Sequence, residues 1–205
     1  MPSTNDSQTP RQLHQQILRH FAATGRAPAM TEMQAMLGGA SRQSVEECLK
    51  LLDQEGAIYR DPQSKELRAA YPFSPLPTQH RVKLANGVEV YAMCAIDALG
   101  MPFMLETDAT ISSECHHCHA PSEVEVQKAK VSQAHPQHLV VWYSTNDTCC
   151  ASAVDCCPHI NFFCSQNHLE QWRQQHPEQK GHLLTLAEAL DRGRQFFGSL
   201  LKQGR

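Results

Sequence analysis

The sequence predicts an α+β protein: an N-terminal winged-helix-like three-helix domain, then a mixed or antiparallel β-sheet domain with flanking helices. Three observations carry that prediction. Apolar residues recur at helical spacing in three successive stretches before Gly56. Beyond residue 80, short alternating or β-branched runs take over, opened by an Asn86-Gly87 turn between two of them. Two further helical patterns follow the strands, the last started by Thr185 and Glu188 at capping-box spacing. On this reading residues 1–10 are a disordered polar tail, 11–78 the winged-helix-like unit and 79–205 the α+β unit that carries the chemistry.

In chain order, Leu13, Ile17, Leu18 and Phe21 line one face of a helix over 12–23, broken by Gly25 and Pro28. Thr31 is the expected N-cap of a short helix to residue 37, with Met33, Met36 and Leu37 inward. Ser41 caps a third helix that buries Val45, Cys48, Leu49 and Leu52 before Gly56 ends it. Residues 57–60 and 66–70 make a small hairpin. Pro72, Pro75 and Pro77 mark 71–78 as an extended connector, where the domain boundary is placed. Residues 81–84 and 88–91 form a hairpin, and 110–113, 124–126 and 138–143 read as further strands. Residues 146–159 are cysteine-rich and irregular. A helix over 165–176 points Leu169 and Trp172 inward, and the last one reaches about residue 201.

The charge pattern limits the function. Of the net −3, residues 1–80 contribute nothing, with eight basic and eight acidic side chains; residues 81–205 hold ten basic and thirteen acidic ones. Neither part presents the basic face that phosphate binding requires, and the third helix sets Glu46, Glu47, Asp53 and Glu55 against Arg42 and Lys50. Nucleic acid is therefore disfavoured as a partner. No apolar run reaches membrane-spanning length, and the polar start lacks the layout of a secretory signal, so the expected location is the cytoplasm. Nine cysteines in such a chain point to thiols used for metal binding or catalysis; the odd number rules out full internal pairing.

Among those thiols, Cys94 stands in Val90-Tyr91-Ala92-Met93-Cys94-Ala95-Ile96-Asp97-Ala98-Leu99-Gly100, where a strand runs into a short apolar helical turn that Gly100 can close. Cys94 and Asp97 are three positions apart and would share a helical face. Apolar neighbours should desolvate the carboxyl and raise its pKa. A plainly structural reading makes Cys94 a small core hydrophobe and Asp97 a surface carboxylate. Cys115-His116-His117-Cys118 has the two-residue gap of a zinc knuckle, with Cys164 and His168 as further ligand candidates. Cys149-Cys150 and Cys156-Cys157 are adjacent pairs, so at most one member of each is expected to face a given ion. The segment Cys156-Cys157-Pro158-His159-Ile160-Asn161-Phe162-Phe163 could bring a thiol into the Cys94 pocket. Two thiolates and a carboxyl suit a linear-coordinating, very soft metal ion better than zinc.

Tyr91 to Leu99, followed by the Cys-Pro-His-Ile-Asn-Phe-Phe segment and Trp172, resembles organomercurial lyase (alkylmercury lyase). The resemblance is clearest over residues 70–200, and the family's N-terminal winged-helix-like domain accounts for most of the rest. It implies that two cysteines and an aspartate cleave a carbon–mercury bond, releasing a hydrocarbon and Hg(II). Cys94 and Asp97 match the first cysteine and the aspartate, and counting back from Phe162-Phe163 selects Cys157 over Cys156 as the second cysteine. It further implies mercury detoxification with no organic cofactor, Hg(II) held as product by Cys94 and Cys157, exogenous thiols as release partners and hand-over to mercuric reductase. Cys115, Cys118 and Cys164 remain as additional thiols or as ligands of a structural zinc. Met93, Phe103 and Phe162 are candidates to line the space for the organic group, or plain core. The alternatives are a zinc-stabilised metal-binding protein and a metal-responsive regulator, each without lyase activity.

Overall fold

The computed structural model describes residues 8–145 and 156–202. Helix α1 (Gln8–Thr24) buries Leu13, Ile17, Leu18 and Phe21 completely, as their spacing requires. It starts earlier than expected: Pro10, assigned to a polar tail, sits in the first turn, where the missing N–H costs no hydrogen bond. Gly25 ends the helix with φ +75°. No Cβ fits there, because it would lie 2.7 Å from the Glu89 carbonyl oxygen.

Helix α2 (Met30–Met36) is capped at Ala29, not at Thr31. Glu32 accepts the Ala29 N–H at 2.7 Å while both its oxygens are gripped by Arg26, at 2.6 and 2.8 Å, which fixes the start two residues early. Helix α3 (Arg42–Gln54) is capped by Ser41, whose Oγ accepts the Ser44 N–H at 3.1 Å, and it buries the four residues expected.

Strands β1 (Ile58–Arg60) and β2 (Leu67–Ala70) pair antiparallel. The proline-rich connector then departs from expectation, because Phe73 and Ser74 form β3 (Phe73–Ser74), paired with β2 on one side and β5 (Glu89–Ala92) on the other. Phe73 is fully buried and stacks on Phe21 at 5.1 Å, which welds α1 to the sheet. Strand β4 (Arg81–Leu84) joins β5 through the four residues 85–88, of which Gly87 alone takes the left-handed conformation.

Strands β6 (Ala109–Glu114), β7 (Pro121–Gln127) and β8 (Lys130–His135) complete an eight-stranded antiparallel sheet, in the order β1-β2-β3-β5-β4-β6-β7-β8. Strand β8 lacks a sequence signal, since both its faces are largely solvated. A smaller antiparallel sheet holds β9 (Val140–Ser144) between β10 (Asn161–Phe163) and β11 (Gly181–Thr185).

Helix α4 (Ala95–Leu105) is buried from Ala95 to Met104, as a helix apolar all round must be. Gly100 does not close it. That glycine instead lets α4 press against α6 (Leu186–Phe197): a Cβ on Gly100 would meet the Phe197 ring at 2.3 Å, and one on Gly193 would meet the Gly100 nitrogen at 2.8 Å. Helix α5 (Gln166–Gln175) is capped by Ser165. Helix α6 has the expected Thr185–Glu188 capping box but ends at Phe197, short of residue 201. The six helices and the antiparallel sheets among the described residues make this a mixed α+β fold. No helix there is long and apolar enough to cross a membrane.

Candidate active site

Two chain segments meet over the start of α4. In the first, β5 delivers the backbone to Cys94, which stays extended at φ −154° and serves as the N-cap of α4. Its Sγ accepts the Asp97 N–H at 3.4 Å, the role a serine or aspartate oxygen usually fills. Cys94 therefore precedes the helix instead of sharing a face with Asp97. The thiol folds back onto the first turn, where the Asp97 N–H favours negative charge on sulfur against the burial that opposes it.

In the second segment, Cys157 opens a single 3₁₀ turn, Cys157–His159, with Pro158 fixing the φ of its second residue. The Ala95 N–H, one of the helix's orphan donors, binds the Ile160 carbonyl at 3.1 Å and ties that turn to α4. Cys157 then donates its S–H to Asp97 Oδ2 at 3.4 Å. The sulfurs of Cys94 and Cys157 and a carboxylate oxygen of Asp97 lie within 4.8 Å of one another, and all three residues are buried. Cys156 is half-buried and outside this cluster.

Burial dominates the electrostatics. It pushes the Asp97 carboxyl up to about 7, with the two thiols as hydrogen-bond partners pulling it part of the way back. Burial likewise raises the Cys94 thiol, and the Cys94 thiol together with burial raises Cys157. Near neutral pH the site thus holds two thiols beside a carboxyl poised between its proton states. Such a set can pass a thiol proton to the carboxyl and hand it on. It can also grip a soft ion: two bonds of about 2.3 Å, the length thiolates make to zinc, span about 4.6 Å end to end.

Stability carries the same signature. A carboxyl whose pKa is raised by folding favours the native state while protonated, so its contribution is complete below about pH 4 and is lost as pH rises through about 7. The loss is on the order of 4 kcal/mol at most. Urea midpoints of the native protein should therefore fall over that range more steeply than those of Asp97→Asn; equal slopes would contradict the raised carboxyl.

A buried polar chain supports the Cys157 turn, and sequence reasoning missed it. Asn161 donates its amide to the Pro158 carbonyl at 2.8 Å, and its Oδ1 accepts from Gln79. Gln79 meets His80 Nε2 at 3.2 Å, and His80 Nδ1 meets Ser113 Oγ on β6 at 2.9 Å. Burial pushes His80 down to about 4, so it remains neutral. Gln79 and His80 precede a strand in an ordinary polar stretch; only the fold turns them inward.

Cys115, Cys118 and Cys164 lie together with His168 in a second cluster, apart from Cys94, Asp97 and Cys157. Cys149 and Cys150 fall outside the described residues. Met93 is half-buried beside Cys94, and Phe162 is buried edge-on against His80. Phe103 is nine residues along α4, about 13 Å from the cap, with Arg194 over its ring.

The chain as a whole is similar to proteins of known family. Alkylmercury lyase from Bacillus cereus is 28% identical over 177 residues, covering 86% of this chain and 77% of that one. Alkylmercury lyase from Staphylococcus epidermidis is 29% identical over 150 residues, covering 73% and 67%. The crystal structure of the mercury-bound form of MerB2 superposes with a TM-score of 0.76 at 25% identity, over 98% of this chain and all of that one. The family model described as MerB, alkylmercury lyase, matches residues 73–198, well over half of the sequence, and the chain belongs to the alkylmercury lyase family.

Proposed function

We propose that this protein cleaves the carbon–mercury bond of organomercury compounds by protonolysis, with Cys94, Asp97 and Cys157 as the catalytic residues. The observation that carries this reading is the convergence of two thiols and one carboxyl, remote in sequence, inside a buried site. A substrate R–Hg–X, with X a cellular thiolate, is attacked by the sulfur of Cys94 while Asp97 accepts the thiol proton. Cys157 then binds mercury, and its proton leaves with X as HX. Electron density from two sulfurs weakens the Hg–C bond. Protonated Asp97, stabilised as the neutral acid by its apolar setting, delivers its proton to carbon, which keeps the bonding pair. R–H departs, Hg(II) remains between the sulfurs, and Asp97 ends ionised as it began.

No organic cofactor enters this sequence. Release of Hg(II) follows by exchange with exogenous thiols or transfer to mercuric reductase, the function being mercury detoxification. Free thiols at Cys94 and Cys157 fit the reducing cytoplasm, where we place the protein. We assign the chemistry to residues 79–205 and a packing role to the winged-helix-like residues 11–78. In that segment Glu46 on α3 is already engaged by Arg60 at 2.8 Å, and the acidic helix offers little to phosphate. Headspace analysis of phenylmercury incubated with protein and excess thiol tests the function: benzene is expected, and its absence would reject lyase activity.

A further inference from the structure

We propose that Cys115, Cys118, Cys164 and His168 form a second, resident metal site that holds one zinc ion in tetrahedral Cys3His coordination. The first two ligands come from the turn between β6 and β7. That turn is already folded as a metal knuckle: His119 takes the left-handed conformation at φ 57°, its N–H binds the Cys115 carbonyl at 2.8 Å, and the Cys115 N–H binds the Ala120 carbonyl at 2.8 Å. The other two come from the junction of β10 and α5, where Cys164 precedes the Ser165 cap and His168 occupies the first turn.

The separations decide the chemistry. Cys115 Sγ lies 3.6 Å from His168 Nδ1, Cys118 Sγ lies 4.0 Å from Cys164 Sγ, and all four ligand atoms are within 4.8 Å of one another. Around a tetrahedral zinc, bonds of about 2.3 Å to sulfur and about 2.05 Å to nitrogen put sulfur and nitrogen about 3.6 Å apart and two sulfurs about 3.8 Å apart. A disulfide would need about 2.05 Å, half the distance between Cys118 and Cys164. The Cys164 N–H points at Cys115 Sγ at 3.4 Å, and the amides of His117 and Cys118 face it too, as donors do around a metal-bound thiolate. An imidazole and three thiolates arranged in a tetrahedron suit zinc; the two-sulfur site at Cys94 and Cys157 suits a softer, linear ion.

Such a zinc would clamp the β6–β7 turn of the large sheet to β10, over a small core of Trp142, Phe163, Leu169 and Trp172. The His116 N–H already binds the Phe162 carbonyl across the same junction at 2.9 Å. Strand β10 begins four residues after Cys157, so the ion would fix the segment that presents the second sulfur to mercury. That last consequence rests on the lyase reading; the metal site itself does not.

The test uses the full chain purified without chelator. About one zinc per chain is expected in the native protein and equally in the double variant Cys94→Ser/Cys157→Ser. Protein stripped of metal and refilled with Co(II) alone should show the intense visible bands of a tetrahedral site with sulfur-to-cobalt charge transfer. Cys118→Ser should lose both, and His168→Cys, which keeps four ligands, should retain the ion with stronger charge transfer. Only trace zinc together with no tetrahedral cobalt spectrum would overturn the proposal, as would unchanged zinc in Cys118→Ser or an unaltered cobalt spectrum in His168→Cys.

Discussion

Replacing Cys157 by serine should abolish benzene release from phenylmercury, a loss on the order of 10³-fold or more, as when a nucleophile is removed from a group that acts as a unit. Cys94→Ser should do the same. Both expectations follow from softness: a hydroxyl is a poor ligand for a very soft ion, so either variant leaves mercury with one protein sulfur and an Hg–C bond that is not sufficiently weakened. Cys156→Ser supplies the contrast. Its thiol is adjacent in sequence, yet it lies outside the buried cluster with Cys94 and Asp97, and the variant should retain activity within about twofold. Benzene assays on the three variants decide the matter. Full activity in Cys157→Ser with loss in Cys156→Ser would reverse the assignment of the second sulfur.

Asp97→Asn should separate binding from chemistry. Both sulfurs remain, so mercury is still captured, but the amide neither takes the thiol proton nor delivers it to carbon. Turnover should slow by about 10²- to 10⁴-fold, the usual range for a positioned acid–base group. The pH profile carries a second signature. The carboxylate form must accept the thiol proton, so kcat/KM of the native protein should fall as pH drops below about 7, where burial has placed the Asp97 titration. That limb should vanish in Asp97→Asn. Unimpaired turnover in the variant would remove the proton-transfer role.

Much of the fold is legible in the residues because local signals agree with tertiary packing. Leu13, Ile17, Leu18 and Phe21 mark α1, Ser41 and Thr185 mark two helix starts, and Asn86-Gly87 marks the hairpin that leads to Cys94. The departures have physical causes. A cysteine acting as N-cap looks in sequence like one more apolar residue, so Cys94 is read as part of a helix it only precedes. Gly100 reads as a terminator, but its missing side chain is used for contact with α6, an element some ninety residues away. Pro72, Pro75 and Pro77 suggest a connector, although the two residues of β3 between them still pair on both sides. The Gln79–His80–Asn161 chain has no local signature, since Gln79 and His80 stand before a strand and meet Asn161 on β10 only through the fold. The residues alone suggest pairing Cys94 with Asp97, the family resemblance selects Cys157 over Cys156, and only the fold brings the three groups together.

The central claim is that two sulfurs take over mercury as its carbon leaves. It is tested most directly by a single turnover of phenylmercury on the native protein without added thiol, followed by counting of the products and the remaining free thiols. One benzene and one retained mercury per chain, with two fewer titratable thiols in the native protein and no benzene from Cys94→Ser/Cys157→Ser, is the result the account predicts. Benzene release from that double variant, or mercury retained with a loss of fewer than two thiols, would contradict it.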